Sequence, residues 1–337
     1  MTVPMKKLIN EPSDFVDEVV EGLVLAYPQR LRVLADEPRA IVRADADATG
    51  RVAIATGGGS GHLPLFAGYV GPGLADGCAV GNLFASPSAE QMLAVTRAVH
   101  GGSGVLYLYG NYSGDRLNFD LAAEIAASEG IAVRTVRAAD DVASMNREQA
   151  GRRRGVAGIL FGYLIAGAAA AAGADLDAVA TVTARGLQRT CSMGVALSSC
   201  VLPTVGHPNF HVPDGEMEVG MGLHGEPGVR RGPLRPADEV AGELVDRILA
   251  DLQPAPSADL AVLVNGLGAT PPEELLIAYR HVHRRLEDMG HRIHRALVGD
   301  YATSLEMAGM SVSILHLDNE LRLLLDAAPV VSTGVLA

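Results

Sequence analysis

Apolar and polar residues follow two different periods along the chain. Some segments place apolar residues three or four positions apart, the spacing of a helix with one buried face; they begin near residues 15, 88, 119, 237 and 272. Short apolar runs typical of buried strands lie between them, at 52–55, 104–109, 131–136, 193–197, 260–264 and 294–298. A last apolar pair, 311–317 and 321–326, predicts a hairpin. Strands that alternate with helices favour an α/β fold.

We therefore predict two α/β domains, each a mixed, largely parallel sheet flanked by helices. The chain has 337 residues, enough for two domains with separate cores. The pattern changes near residues 186–192, so we place an N-terminal domain at 1–188 and a C-terminal domain at 189–337.

The segment from Val156 to Ala174 is apolar throughout and has the length of a membrane span. It consists mostly of Ala and Gly, which contribute little to membrane insertion, so we expect a buried helix instead. The only cysteines are Cys78, Cys191 and Cys200, an odd number without a CxxC pair, which indicates a reducing compartment. No membrane association and a cytoplasmic location are expected.

The formal charge is −12, from 27 Lys and Arg against 39 Asp and Glu. An acidic surface repels the phosphate backbone, so nucleic acid is a poor candidate partner. Glycine is abundant, with 39 residues, and this indicates many tight backbone positions.

Two glycine-rich segments follow predicted strands, where ligands bind in open α/β sheets. The first contains Gly57, Gly58, Gly59, Ser60 and Gly61 and continues into His62. It is either a phosphate cradle of backbone N–H groups or a tight strand-to-helix turn. It matches neither a Walker A loop nor GxGxxG. His62 would place a polar ring where glycine lets a small ligand approach.

Two further residues are candidates for chemistry. Asp115 ends the second glycine-rich segment, where a carboxylate either accepts a proton from a substrate hydroxyl or caps the following helix. His224 lies in a loop between glycines, with several glutamates near it. It is a candidate nucleophile, acid–base group or metal ligand. No metal-ligand spacing surrounds it, and we predict no metal site.

Six motifs in order carry a resemblance to a known family. They are Gly-Gly-Gly-Ser-Gly-His-x-Pro at 57–64, Asn-Tyr-Ser-Gly-Asp-x-Leu-Asn-Phe at 111–119, Gly-Arg-Arg-Arg-Gly-Val-Ala at 151–157, Gly-Leu-His-Gly-Glu-Pro-Gly at 222–228, Asn-Gly-Leu-Gly-Ala-Thr at 265–270 and Gly-Asp-Tyr-Ala-Thr-Ser-Leu-Glu-Met at 299–307. From Met5 to about Pro329, the chain resembles the substrate-binding K subunits of dihydroxyacetone kinases.

The resemblance implies a homodimer that binds a short ketose covalently. The family's reactive histidine matches His224, whose imidazole adds to the ketone carbonyl to give a hemiaminal. The positions that hold the substrate match Gly59 and His62, within the segment Gly58, Gly59, Ser60, Gly61 and His62. Asp115 matches the carboxylate expected to activate the terminal hydroxyl.

The resemblance also implies a partner, because the family's nucleotide lies on a separate helical L subunit or domain. We expect no cofactor on this chain itself. ATP or ADP with Mg²⁺ is expected on the L-type partner, which phosphorylates the ketose.

Three departures from the family pattern bear on the substrate. Leu63 stands where the motif usually has Glu, Phe66 where a His is common, and Gly110 where a Lys often precedes Asn-Tyr. A more apolar site predicts a substrate such as erythrulose or dihydroxybutanone. The alternative function is a ketose-sensing regulatory paralogue that acts as a transcription co-regulator. A third function, that of a nucleotide-dependent oxidoreductase, is supported by the glycine segment alone.

Overall fold

The computed structural model describes residues 6–45, 49–208, 210–332 and 334–336. Within these residues the chain forms two six-stranded sheets with helices against their faces. The predicted α/β architecture with two mixed, helix-flanked sheets is confirmed.

The first sheet has the strand order β1-β2-β4-β3-β5-β6. Its strands are β1 Leu31–Leu34, β2 Glu37–Arg43, β3 Ala53–Ser60, β4 Gly77–Leu83, β5 Val105–Gly110 and β6 Val133–Ala138. Strands β4, β3, β5 and β6 run parallel, and the β1–β2 hairpin joins β4 antiparallel at one edge. The expectation of a largely parallel sheet holds here.

Helices cover both faces of this sheet. Those of the N-terminal half are α1 Phe15–Ala26, α2 Ala89–Val99, α3 Ser113–Ser128, α4 Ile159–Ala171 and α5 Leu176–Gln188. Side chains of β3 alternate between the faces: Ile54 joins the core formed with α1 and α4, whereas Ala53 and Ala55 join the core formed with α2 and α3. Short 3₁₀ turns lie at Ala67–Tyr69 and Arg147–Arg152.

The second sheet has the order β11-β10-β12-β7-β8-β9. Its strands are β7 Thr190–Ala196, β8 Glu216–Val219, β9 Arg230–Pro233, β10 Asp259–Gly266, β11 Arg292–Gly299 and β12 Gly309–His316. Only β10 and β11 pair in parallel, so the expectation of a largely parallel sheet is wrong for this half. Parallel neighbours need a crossover of about a dozen or more residues, and β8 and β9 are joined by the shorter segment 220–229.

The remaining helices are α6 Ala237–Leu252, α7 Pro272–Asp288 and α8 Asn319–Ala327. The predicted strand at 321–326 is therefore wrong, because these residues belong to α8. The Asp318 carboxylate accepts the backbone N–H of Leu321 at 2.9 Å and caps this helix. Its apolar residues Leu321 and Leu325 repeat at helical spacing and are buried.

The two sheets share one continuous hydrophobic core. It includes Ile54 and Leu106 of the first sheet and Ala261 and Leu315 of the second. Helix α4 lies within this core, and every residue from Ile159 to Ala170 is buried. This confirms the buried-helix interpretation, while the division at residue 188 stays a prediction.

The described residues contain no helix that is both long and apolar enough to cross a membrane. All three cysteines are buried and free of disulfides.

Candidate active site

The glycine segment is the end of a strand rather than a turn. Strand β3 continues through Ser60, and Gly57 to Gly59 pair with β4. The tight-turn interpretation is therefore wrong for Gly57 to Gly59, whereas the phosphate-cradle interpretation stays a prediction. Glycine is needed here because a Cβ at Gly59 would lie 2.6 Å from the backbone nitrogen of Ala85. The turn comes one residue later, at Gly61, whose φ is +101°.

His62 follows this strand and is buried, with 2% of its surface exposed. Its Nδ1 lies 2.7 Å from the carbonyl oxygen of Thr303, and its ring stacks on Phe84 with centroids 4.8 Å apart. Burial, with the nearby charge of His224, lowers the pKa of His62 to about 3. His62 is therefore neutral at pH 7.

Residues 303–305 hold this histidine segment from the other half of the chain. The backbone N–H of Leu305 donates to the Gly61 carbonyl at 2.8 Å, and the Thr303 hydroxyl donates to the Leu63 carbonyl at 2.9 Å. The position of His62 therefore depends on both sheets.

His224 lies in the loop after β8, with its side chain 24% exposed. The Nε2 atoms of His62 and His224 are 3.1 Å apart. The other ring nitrogen of His224, Nδ1, lies 3.0 Å from Oε1 of Glu226, and the His224 backbone N–H donates to Oε2 at 2.9 Å. The ring of Tyr112 meets that of His224 edge to face at 4.8 Å.

Glu226 is ionised in this arrangement. Burial raises the pKa of its carboxyl, but the hydrogen bond and charge of His224 and the charge of Arg154 outweigh burial, and the pKa falls to about 2. Arg154 in turn is paired with Asp141 at 2.6 Å. Glycine at 222 leaves room for this carboxylate, because a Cβ there would lie 2.2 Å from Glu226 Oε2.

The hydrogen bonds at Nδ1 define where each imidazole carries a hydrogen. The Thr303 carbonyl and the Glu226 carboxylate can only accept, so both Nδ1 atoms carry hydrogen. Two neutral rings would then present bare Nε2 lone pairs to each other at 3.1 Å. A proton between the two Nε2 atoms removes this conflict.

Asp115 lies in the first turn of α3 and is 7% exposed. The helix-cap interpretation is wrong, because the N-cap residue is Tyr112. Among the described residues, Oδ1 of Asp115 has no hydrogen-bond partner. Burial raises the pKa of Asp115 to about 6, while a hydrogen bond from Ser86 and the charge of His224 act in the opposite direction. A buried carboxylate with one vacant oxygen is suited to accept a substrate hydroxyl.

The structure thus brings together His62 and His224 and places Asp115 within the electrostatic influence of His224. Gly59, Ser60 and Gly61 lead into His62 from the end of β3, whereas Gly58 packs against the ring of Phe66. The catalytic and binding roles of these residues stay predictions. The sequence interpretation gave no role to Thr303, Phe84, Tyr112 and Ser86. Thr303 and Tyr112 lie inside two of the quoted motifs, and this position could have identified them as candidates.

Within the described ranges, no group of three or more His, Cys, Asp and Glu side chains is placed to hold a metal ion.

Comparison with known proteins decides the family. The sequence profile of the Dak1 domain matches residues 21–332. The chain belongs to the Dak1 domain family. This confirms the resemblance to the K subunits of dihydroxyacetone kinases and to their fold.

Two relatives show the range of proteins that contain this domain. The chain is 45% identical over 322 residues to the "PTS-dependent dihydroxyacetone kinase 2, dihydroxyacetone-binding subunit DhaK" of Listeria innocua, covering 96% of this Dak1 chain and 97% of that protein. It is 46% identical over 321 residues to the "L-erythrulose kinase" of Pectobacterium atrosepticum, covering 94% of this chain but only 54% of that protein.

Two solved structures share the fold. The dihydroxyacetone kinase of C. freundii, in complex with AMP-PNP and Mg²⁺, superposes with a TM-score of 0.86 at 34% identity, covering 95% of this Dak1 chain and 59% of that chain. The "Dihydroxyacetone kinase operon co-activator Dha-DhaQ" superposes with a TM-score of 0.85 at 31% identity, covering 94% and 96%. The Dak1 fold is thus found in a kinase and in a co-activator.

Proposed function

We propose that this chain is the ketose-binding subunit of a ketose kinase and that His224 captures the ketose as a hemiaminal. The observation that carries this proposal is the contact between the Nε2 atoms of His62 and His224, with Glu226 on the far side of the His224 ring. A nucleophilic nitrogen, a proton relay and a counter-charge are thereby in contact.

The addition balances without any change in net charge. The proton on His224 Nε2 moves to the vacant lone pair of His62, and the freed Nε2 lone pair attacks the ketone carbon. The C=O bond becomes a C–O single bond whose oxygen takes the proton from His62. The product is an N-substituted imidazolium in place of a protonated one, so Glu226 balances one positive charge throughout.

Covalent capture explains how such a site selects its substrate. A carbonyl distinguishes a short ketose from glycerol, and a polyol has no carbon that His224 can attack. Once attached, the ketose presents a terminal hydroxyl, and Asp115 accepts its proton through the vacant Oδ1.

The phosphoryl donor belongs to a partner in this proposal. An L-type subunit carries ATP, or ADP recharged by a phosphotransferase system, together with Mg²⁺. Support comes from the names of relatives described as binding subunits and from the AMP-PNP and Mg²⁺ in the longer C. freundii chain. The chain spans just over half of that kinase and of the erythrulose kinases. We also propose a homodimer in the cytoplasm.

We further propose a four-carbon ketose as the preferred substrate. Phe66 packs against Gly58 and meets the His62 ring edge to face at 6.4 Å, and Leu63 adjoins His62. Apolar groups therefore stand where the family pattern has charged or polar ones. Relatives named as erythrulose kinases, and one named as a putative 3,4-dihydroxy-2-butanone kinase, share 42–46% identity with the chain.

The deciding experiment mixes this protein, an L subunit from a related system, ATP and Mg²⁺ with dihydroxyacetone, each erythrulose enantiomer and dihydroxybutanone. Phosphorylated ketose that disappears with His224→Ala and with Asp115→Asn supports the kinase. The highest kcat/KM for dihydroxyacetone would contradict the four-carbon preference.

A ketose-sensing co-regulator is the second candidate, favoured by the fold similarity to the co-activator. A sensor needs capture by His224 but no hydroxyl activation by Asp115. A ketose-dependent gain in mass, without turnover in the presence of an active L subunit, would favour this function.

A further inference from the structure

A cavity borders the candidate active site at His62 and lies on the face of the first sheet opposite α3. It has a volume of about 190 Å³ and is bordered by helix α1, the end of β3, the segment after His62 and β4. Its walls include Val20 and Leu23 of α1, Leu65, Phe66 and Val80. These walls are apolar and buried.

Successive residues of β3 face opposite sides of the sheet, and this places the chamber on the side away from α3 and Asp115. A Cβ at Gly57 would approach Phe119 of α3 at 3.0 Å, whereas one at Gly58 would approach the ring of Phe66 at 2.2 Å. The two glycines therefore face opposite sides of the sheet. His62 is the side chain that borders both the chamber and the contact with His224.

Every polar side chain that borders the chamber is already bonded to another group. The hydroxyls of Ser60 and Thr303 donate to the carbonyls of Gly81 and Leu63. His62 is bonded through both ring nitrogens, and the Cys78 thiol contacts the Ala79 carbonyl at 3.5 Å. Among the residues that the structure describes, no Asp, Glu, Lys or Arg side chain lines the chamber. A water molecule needs two to four polar partners, so this space favours an apolar occupant.

The chamber adjoins a groove at the protein surface. Phe15 and Val19 border both the chamber and this shallow groove, whose lining also includes Leu8, Ile9, Asn10 and Glu18. Leu8 is fully exposed at this groove. An apolar cavity that adjoins a surface groove fits an elongated hydrocarbon better than a compact ring.

We propose that this chamber binds a hydrocarbon chain, as carried by a fatty alcohol or a fatty acyl group. A cavity of about 150 Å³ takes a benzene-sized molecule, so about 190 Å³ takes roughly six to eight carbons. The chain enters beside Leu8 and ends against Phe66 and Val80. Leu63 and Phe66, which replace the polar residues of the family pattern, make the chamber apolar enough to hold it.

The test is isothermal titration calorimetry of the whole protein with 1-octanol, which requires neither an L subunit nor kinase activity. We expect saturable binding at one site, with a negative heat-capacity change. Val20→Trp, which fills the chamber, and Phe66→His, which adds a polar group, should each weaken binding at least tenfold. Leu25→Trp is the matched control, because Leu25 lies on the same helix and is 72% exposed.

Three results would overturn the proposal. They are no saturable binding to the wild-type protein, wild-type affinity for octanol in both chamber variants, or a loss of affinity in Leu25→Trp as large as in the chamber variants. Phe66→His covers the case in which Val20→Trp does not fold. Dihydroxyacetone at saturating concentration should leave octanol binding unchanged, and displacement would show that the chamber is part of the ketose site. A protein that bound octanol but no ketose would refute the proposed function alone.

Discussion

The Nε2 atoms of His62 and His224 lie 3.1 Å apart, although 162 positions separate these residues in the chain. Each ring is oriented from its other nitrogen, His62 by the Thr303 carbonyl and His224 by the Glu226 carboxylate. The four groups form one chain of hydrogen bonds that ends in an acceptor on both sides. A single proton between the rings completes it, and the proposed capture of a ketose consumes that proton.

Replacement of His224 tests the covalent step directly. We expect His224→Ala to lose the ketose-dependent gain in mass in intact-protein mass spectrometry and to lower kcat/KM at least a thousandfold, because no other lone pair replaces its Nε2. His211→Ala is the matched control, since His211 is exposed on a separate loop segment. A mass adduct that survives in His224→Ala would refute the hemiaminal at this residue.

Glu226→Gln tests the counter-charge. The amide oxygen can still accept from His224 Nδ1, but the negative charge is gone, and hydrogen bonds to charged groups contribute about 1.5–3 kcal/mol. We therefore expect a roughly 10- to 100-fold weaker affinity for the ketose. The measurement is the fraction of protein that carries the ketose adduct at subsaturating ketose.

The control for this variant is Glu216→Gln, which removes a carboxylate from β8, outside the loop that carries His224. Equal ketose affinity in Glu226→Gln and in the wild-type protein would show that the carboxylate is not needed as a counter-charge.

Asp115→Asn should increase the stability of the protein and decrease its activity. Burial raises the pKa of Asp115 to about 6, so the folded protein favours the protonated carboxyl. The pKa of Asp115 in the unfolded chain is near 4. Ionisation of Asp115 therefore lowers the free energy of unfolding progressively as the pH rises from about 4 to about 6. We expect Asp115→Asn to raise the free energy of unfolding by about 1–3 kcal/mol at pH 7, measured by urea denaturation, and to have no such effect at pH 3.

The same variant should lower phosphorylation by about 10²–10⁴-fold while the ketose adduct still forms. In the wild-type protein, kcat should rise with pH through about 6, because the base acts when ionised. Asp120→Asn, on an exposed position of the same helix, is the control. Turnover by Asp115→Asn at the wild-type rate would remove Asp115 from the proposed mechanism.

A double variant tests the substrate preference. Leu63→Glu with Phe66→His restores the residues common in the family pattern, and we expect the ratio of kcat/KM for erythrulose over dihydroxyacetone to fall at least tenfold. Leu121→Glu introduces a charge on an exposed position of α3 and should leave the ratio unchanged. If the double variant keeps the wild-type ratio, Leu63 and Phe66 do not set the preference.

Some elements of this chain were easier to predict than others. Helices α6 and α7 begin at the predicted residues 237 and 272, because a single apolar stripe on an otherwise polar segment gives a clear period. Strand β4 was not predicted, since its Gly-Cys-Ala-Val-Gly-Asn-Leu sequence has few β-formers and becomes a strand by pairing with β2 and β3. The extension of β3 through three glycines likewise depends on its pairing with β4.

The sequence by itself determined the α/β class, through alternating strand and helix patterns, and its motifs indicated the family and the candidates His62, Asp115 and His224, because these depend on residue types in order along the chain. The tertiary structure decided that two of these residues touch, that Asp115 keeps a vacant oxygen, and that the second sheet is mostly antiparallel. It also decided the pKa values, because desolvation and hydrogen bonding depend on groups that only folding brings near. Thr303 is the clearest case: it orients His62 from 241 positions away.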